Sequence, residues 1–186
     1  CGEVLVHVSA RANTKAQAAN MCTPLLKEVV NRLGDYVYGI DISSLQQAVV
    51  THLKQKGLHI AVAEACSGTP LTQKLNMVPG AGAVFEFGVS AYANRVKHEV
   101  LKVPEKLIKK FGAVSDQVAV HMACGAMDAG SADIGVAVTG VMGPQADGER
   151  PVGLVYIAVC NKDSVVVRKL SLSPERSPAE LQEQAA

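Results

Sequence analysis

Three loops in this 186-residue chain carry residue types that could bind and convert a small molecule. They are AEACSGT at 63–69, AYANRVK at 91–97 and TGVMGP at 139–144, and each follows a segment with the pattern of a strand. In open α/β sheets, ligands bind beyond the carboxyl ends of strands, where turns and helix N-termini present backbone N–H groups. These three loops are therefore the candidate ligand-binding positions of the chain.

The elements that must position these loops alternate along the chain. Hydrophobic periodicity and turn residues predict strands at 58–65, 84–92 and 132–140, and a hairpin of 152–160 with 164–172. They predict helices at 45–56, from the turn to about 76, at 95–101, 105–111 and 116–129, and from 177. We therefore expect residues 42–186 to form a three-layer α/β/α domain with a mixed, mostly parallel sheet.

Residues 1–41 read as the partial end of a smaller α+β domain. Residues 3–9 alternate apolar and polar side chains, which predicts a strand, and 14–33 have helical spacing that ends at Gly34. Pro24 predicts either a kink or a helix that restarts there with Thr23 as its N-cap.

Composition excludes several classes of function. Apolar residues make up 48% of the chain and charged residues 19%, which supports a packed core. The balance of 18 Lys and Arg against 17 Asp and Glu argues against nucleic-acid binding, and no apolar run is long enough to span a membrane. Five scattered cysteines and five scattered histidines predict reduced thiols and no metal site. The candidate site itself implies no cofactor. A cytoplasmic protein is expected.

The loops and their neighbours resemble one family in sequence order. The run AEACSGT, VPGA, AYANRVKHEVLKV, GAVSDQVA, ADIGVAVTGVMGP and RPVG is similar to the C-terminal domain of CinA proteins, a nicotinamide mononucleotide deamidase module. The resemblance covers about residues 45–170. The preceding EVLVHVSARAN and LGDYVYGID are similar to the end of the KH-like middle domain of full-length CinA (competence/damage-inducible protein A).

The resemblance implies an amidohydrolase of pyridine nucleotide recycling. Nicotinamide mononucleotide and water would give nicotinic acid mononucleotide and ammonia, with a homodimer as the expected assembly. The family motif supplies a serine nucleophile, and Lys97 and Tyr92 match its lysine and tyrosine. A lysine that accepts the hydroxyl proton must be neutral, so its pKa must fall from about 10.4. We expect the start of a helix to lower the pKa of Lys97, with Tyr92 orienting it or passing a proton to the leaving nitrogen.

One departure from the family pattern affects the reaction itself. Ala65 occupies the nucleophile position, and a methyl group cannot attack a carbonyl. Loss of a covalent nucleophile costs roughly 10⁴–10⁶ in kcat in other hydrolases. Ser67 or Cys66 could replace it, although a side chain one or two residues along points elsewhere, and Cys66 also suits a small buried apolar residue.

The remaining matches imply a substrate pocket. Glu64 is expected to hydrogen-bond the turn or the next helix, and Arg150 to meet a phosphate, although it could equally be a solvated loop charge. Each match also has a purely structural interpretation. Lys97 could be a solvated lysine on a helix surface, Tyr92 could serve only in packing, and residues 139–144 could be a plain turn between a strand and a loop. The residues implied as substrate-binding are Glu64, Cys66, Gly68, Thr69, Asn94, Thr139, Gly140, Gly143, Pro144, Arg150 and Arg176.

Two functions of different class therefore remain open. The first is an amidohydrolase acting on nicotinamide mononucleotide, and the second is a nucleotide-binding or interaction module that has lost its nucleophile. RNA binding by the KH-like segment is disfavoured by the balanced charge and by the absence of a GXXG loop.

Overall fold

A computed structural model describes residues 3–66, 68 and 70–186. The chain divides into two compact units, and the boundary falls between Ala48 and Val49. Each unit is described by itself below.

The first unit is built on one long helix, α1 (Lys15–Leu33). The Thr14 hydroxyl accepts a hydrogen bond from the Gln17 N–H at its start, and Gly34 ends it with a φ of 53°. Pro24 lies inside this continuous helix, so the predicted restart is wrong. The Thr23 hydroxyl donates to the Ala19 carbonyl 3.1 Å away instead of capping a new helix.

Residues 3–9 form no strand, and that prediction is wrong. Alternation of side chains favours a strand only when a neighbouring strand completes the ladder of backbone hydrogen bonds. No described segment pairs with residues 3–9, and Val4 and Leu5 are mostly exposed. The alternating pattern shows that this segment could pair as a strand, but the described residues provide no partner strand.

The elements predicted for the rest of the chain are all present, with small changes at their ends. The helices are α2 (Leu45–Lys56), α3 (Pro70–Asn76), α4 (Asn94–Glu99), α5 (Glu105–Phe111), α6 (Asp116–Gly130) and α7 (Pro178–Ala185). The strands are β1 (Ile60–Glu64), β2 (Phe85–Ser90), β3 (Ile134–Gly140), β4 (Leu154–Cys160) and β5 (Val165–Ser171).

These strands form one mixed sheet with the order β2-β1-β3-β4-β5. β1 pairs in parallel with β2 and β3, whereas β4 is antiparallel to both β3 and β5. The predicted hairpin and mixed sheet are confirmed, with parallel and antiparallel pairs equal in number among the described strands. Because β1 lies between two parallel neighbours, the carboxyl ends of β1, β2 and β3 meet at one edge.

Helices cover both faces of the sheet, as the three-layer prediction requires. On one face, Ala61 and Ala63 of β1 pack against α6 through Met122 and Ala123. On the other face, Val62 packs with Leu53, Leu75 and other apolar side chains. All five residues of β1 are buried, which accounts for its continuous apolar sequence.

Gly125 is required where α6 passes the segment after α4. A Cβ at this position would collide with the Leu101 carbonyl. We expect Gly125→Ala to lower the free energy of unfolding by about 2 kcal/mol, because overpacking outweighs the better helix propensity of alanine. Urea denaturation would measure the change. Gly82→Ala is the control, since a Cβ there meets nothing within 4 Å; equal stability of the two variants would contradict the prediction.

Candidate active site

A cleft of about 450 Å³ lies at the edge where the carboxyl ends of β1 and β3 meet. It is bounded by the turn after β1, the segment from β2 into α4, the end of β3 with its following loop, and α7. This is the edge at which the three sequence loops were predicted to converge. The lining residues are Ala65, Cys66, Tyr92, Lys97, Ala113, Val114, Thr139, Gly140, Val141, Met142, Gly143, Gln145, Ala146, Asp147, Pro178 and Gln182.

Lys97 is the buried titratable amine of this cleft. The residue is 2% exposed, and its Nζ donates to the Tyr92 carbonyl at 2.8 Å. Burial lowers the pKa of Lys97 below its usual 10.5, while the charge of an ionised Cys66 would oppose that shift. The pKa of Lys97 is lowered as predicted, but the predicted cause, the start of a helix, is wrong. Lys97 lies in the last turn of α4, where the helix dipole favours a cation.

The lowered pKa of Lys97 makes stability depend on pH. The folded chain releases this proton at a lower pH than the unfolded chain, so between the two pKa values the unfolded chain binds more protons. The free energy of unfolding should therefore rise as pH increases toward about 10, and Lys97→Met should remove this contribution. Urea denaturation across that pH range would measure it. The exposed Lys106→Met is the control; parallel profiles for all three proteins would contradict the prediction.

Tyr92 borders the cleft without burying its ring. The residue is 81% exposed, and its contact with Lys97 is made by the backbone carbonyl. The carbonyl thus orients Lys97, which leaves the phenol hydroxyl free to reach a ligand at the mouth of the cleft.

Ala65 and Cys66 form the turn at the end of β1. The Ala65 N–H donates to the Val138 carbonyl at 2.8 Å, so this position is fixed to β3 by a sheet-like bond. Burial raises the pKa of the Cys66 thiol to about 12, with the Glu64 carboxylate adding to the shift and Lys97 opposing it. A thiol in that state is protonated near pH 7 and is a poor nucleophile. Ser67, the other proposed replacement, lies outside the described residues, as does Thr69.

Glu64 is fully buried and caps the following helix. Its two carboxylate oxygens accept from the N–H groups of Leu71 and Thr72 at 3.1 and 2.9 Å. This is the interaction expected from the sequence, and it places a negative charge at the helix N-terminus, where it is favourable. The first N–H groups of α3 are therefore engaged by the protein itself.

Thr139 and Gly140 end β3 at the floor of the cleft. The Thr139 hydroxyl donates to the Ala113 carbonyl at 2.9 Å and is buried. A Cβ at Gly140 would lie 2.8 Å from the Leu154 carbonyl, so the close approach of β4 requires glycine here. Gly143 also lines the cleft and adopts a φ of 83°.

The structure does not bring every implied site residue to the cleft. The Arg150 guanidinium donates to the carbonyls of Val114 at 2.9 Å and Phe111 at 2.5 Å, which ties the loop after β3 to the α5–α6 connection. Arg150 thus has a structural role in the described chain. The other implied residues that lie outside the cleft lining are Glu64, Gly68, Asn94, Pro144 and Arg176.

Three polar cleft residues were not found from the sequence. Gln145 and Asp147 line the cleft from the loop after β3, and Gln182 lines it from α7. The signal for α7 was present, since Ser177 and Glu180 form the capping box that the SPAE sequence encodes. Nothing in the sequence pattern indicates that this helix packs beside the turn at Ala65.

Two family models match successive parts of the chain. Residues 42–186 match the model of the CinA C-terminal domain. The chain belongs to the CinA family. Residues 1–39 match the model of the KH domain of damage-inducible protein CinA, in agreement with the sequence resemblance.

Curated CinA relatives resemble nearly the whole chain. It is 41% identical over 177 residues to a CinA-like protein of Dictyoglomus turgidum, and 40% identical over 177 residues to one of Kosmotoga olearia. Each match covers 95% of this chain and 43% of the relative. The chain therefore spans less than half the length of these relatives.

Solved CinA structures share the fold. The competence/damage inducible protein CihA from Agrobacterium tumefaciens superposes with a TM-score of 0.72 and 32% identity, over 78% of this chain and 89% of that chain. A CinA superfamily protein from Escherichia coli gives 0.73 and 25%, over 84% and 91%. Within the described residues of this CinA chain, no helix is long and apolar enough to cross a membrane, and no three His, Cys, Asp or Glu side chains are grouped as metal ligands.

Proposed function

We propose that the C-terminal domain is a CinA-type amidohydrolase that converts nicotinamide mononucleotide and water into nicotinic acid mononucleotide and ammonia. The observation that carries the proposal is Lys97, a buried amine with a lowered pKa that lines a cleft at the carboxyl edge of the sheet. Burying the charged form of a lysine costs free energy, which favours the neutral amine, and perturbed titratable groups in clefts are typical of catalytic sites. We expect the reaction in the cytoplasm, carried out by a homodimer.

Lys97 would act as the general base. Its neutral amine donates one hydrogen to the Tyr92 carbonyl and keeps a lone pair that can take a proton. With alanine at position 65, the attacking group would be a water molecule whose proton passes to Lys97. The oxygen of that water enters the carboxyl group, the amide C–N bond breaks, and the nitrogen leaves as ammonia after it receives the proton held by Lys97. The second proton of the water is released when the new carboxyl group ionises.

A second function is favoured by the turn at Ala65. A methyl group occupies the nucleophile position, and the Cys66 thiol is protonated near neutral pH. A cleft that keeps its walls but lacks a nucleophile suits a nucleotide-binding or interaction module of the same fold. That module would bind nicotinamide mononucleotide without releasing ammonia.

Ammonia and nicotinic acid mononucleotide formation from nicotinamide mononucleotide distinguishes the two functions. If the chain is an amidohydrolase, both products form in equal amounts. If it is a binding module, neither product forms. A ligand-dependent rise in melting temperature without product formation would support the binding module. Absence of both turnover and stabilisation would contradict both proposals.

A further inference from the structure

The helix α7 forms one wall of the cleft and is fixed in place by its packing. Pro178 and Gln182 line the cleft, while Leu181 is fully buried and packs in a cluster with Val138 and Met142. The capping box at Ser177 defines where the helix begins. The side chain of Gln182 is therefore presented to the cleft from a rigid element.

A second contact ties α7 to α3, the helix that follows the turn at Ala65. The Lys74 ammonium lies 2.8 Å from the Glu183 carboxylate and also donates to the Glu183 carbonyl at 3.2 Å. Lys74 is partly shielded from solvent, with 23% of its side chain exposed. These contacts link α3 and α7, the two helices that flank the turn.

Gln182 makes its own contact with that turn. Its Nε2 donates to the Cys66 carbonyl at 3.5 Å, and the same nitrogen lies 4.0 Å from the position of a Cβ on Gly68. In the described part of the chain, no residue donates to Gln182 Oε1 in return. Rotating the amide by half a turn would place Oε1 against the Cys66 carbonyl, so two acceptors would face each other. The carbonyl therefore fixes which end of the amide remains available.

We infer that Gln182 is a specificity-determining residue whose Oε1 accepts a hydrogen bond from the carboxamide of the substrate and disfavours a carboxylate. This inference rests on the proposed function, since it concerns the same cleft. A carboxamide carries an NH₂ donor, whereas the carboxylate of the product has acceptors only. An acceptor fixed at this position forms a hydrogen bond with the carboxamide of the substrate. It forms none with the carboxylate of the product, which favours release of the product.

Calorimetric titration of nicotinamide mononucleotide and nicotinic acid mononucleotide would test the inference. It compares the unchanged chain with the variants Gln182→Leu and Gln182→Glu. The leucine variant loses both ends of the amide, and the glutamate variant loses the donor to Cys66 but keeps an acceptor. Gln184→Leu, on the same helix, is the matched control. Melting temperatures show that each variant is folded.

We expect the preference for the amide over the acid to fall about tenfold in Gln182→Leu, the value of one hydrogen bond. It should be retained or increased in Gln182→Glu, because a carboxylate still accepts from the amide and repels the acid, and it should be unchanged in Gln184→Leu. A purely structural role would move the leucine and glutamate variants alike, and that result, or an unchanged preference in Gln182→Leu, overturns the inference alone. Failure of the unchanged chain to bind either nucleotide overturns the proposed function as well.

Discussion

Ala65→Ser is expected to raise the rate of ammonia release from nicotinamide mononucleotide by about 10³-fold or more. Removal of a serine nucleophile from other hydrolases costs roughly 10⁶ in kcat, and restoring one to a turn with altered neighbours should recover part of that factor. The position is prepared for the change, because the Ala65 N–H is held by the Val138 carbonyl and the residue lines the cleft with Lys97. A steady-state assay of ammonia would measure the gain.

The control for this prediction is Ala113→Ser, which adds a hydroxyl to another alanine that lines the cleft. It should leave the rate near that of the unchanged chain, because position 113 does not match the family nucleophile. Covalent catalysis should also give Ala65→Ser a burst of ammonia in the first turnover. Equal rates for the two serine variants would show that position 65 no longer serves as the nucleophile position.

Lys97→Met is expected to lower turnover of the Ala65→Ser protein by about 10³-fold. General base catalysis contributes roughly 10²–10⁴, and methionine fills similar space without a lone pair that accepts a proton well. In the Ala65→Ser protein, the rate should rise with pH through the lowered pKa of Lys97, because the neutral amine is the active form. Initial rates across the pH range measure both effects.

The matched control is Lys106→Met in the same background, since Lys106 is exposed on α5 and does not line the cleft. It should retain full activity and the same dependence on pH. Melting temperature shows that the Lys97→Met protein is folded. A Lys97→Met protein with an unchanged rate would remove Lys97 from the reaction and would leave the burial of its amine without a catalytic reason.

Local sequence patterns predicted most of the second unit because local and tertiary preferences agree there. The five buried residues of β1 read as a continuous apolar run, and Ser115 both looks like an N-cap and accepts from the Val118 N–H. At residues 3–9 the same kind of pattern failed. A strand needs a hydrogen-bonded neighbour, and the described chain has none for this segment.

The candidate site was only partly predictable for a related reason. Lys97 was recognised by its motif, but the cause of its lowered pKa is burial, and burial depends on distant segments. Arg150 looked like a phosphate ligand because a motif cannot show that its guanidinium already binds two backbone carbonyls. Gln182 lies 116 positions from Cys66 in sequence, so no local pattern connects them.

The loop between β3 and β4 has a further consequence for how this domain can change over time. It leaves and re-enters the sheet at the same edge, and its base is closed by bonds from the Val141 N–H to the Leu154 carbonyl and from the Gly153 N–H to the Val141 carbonyl. Arg150 secures its returning arm. Insertions or deletions at 143–149 would thus leave every strand in register and alter one wall of the cleft. New substrate preferences can arise here by changes in length, without loss of the fold.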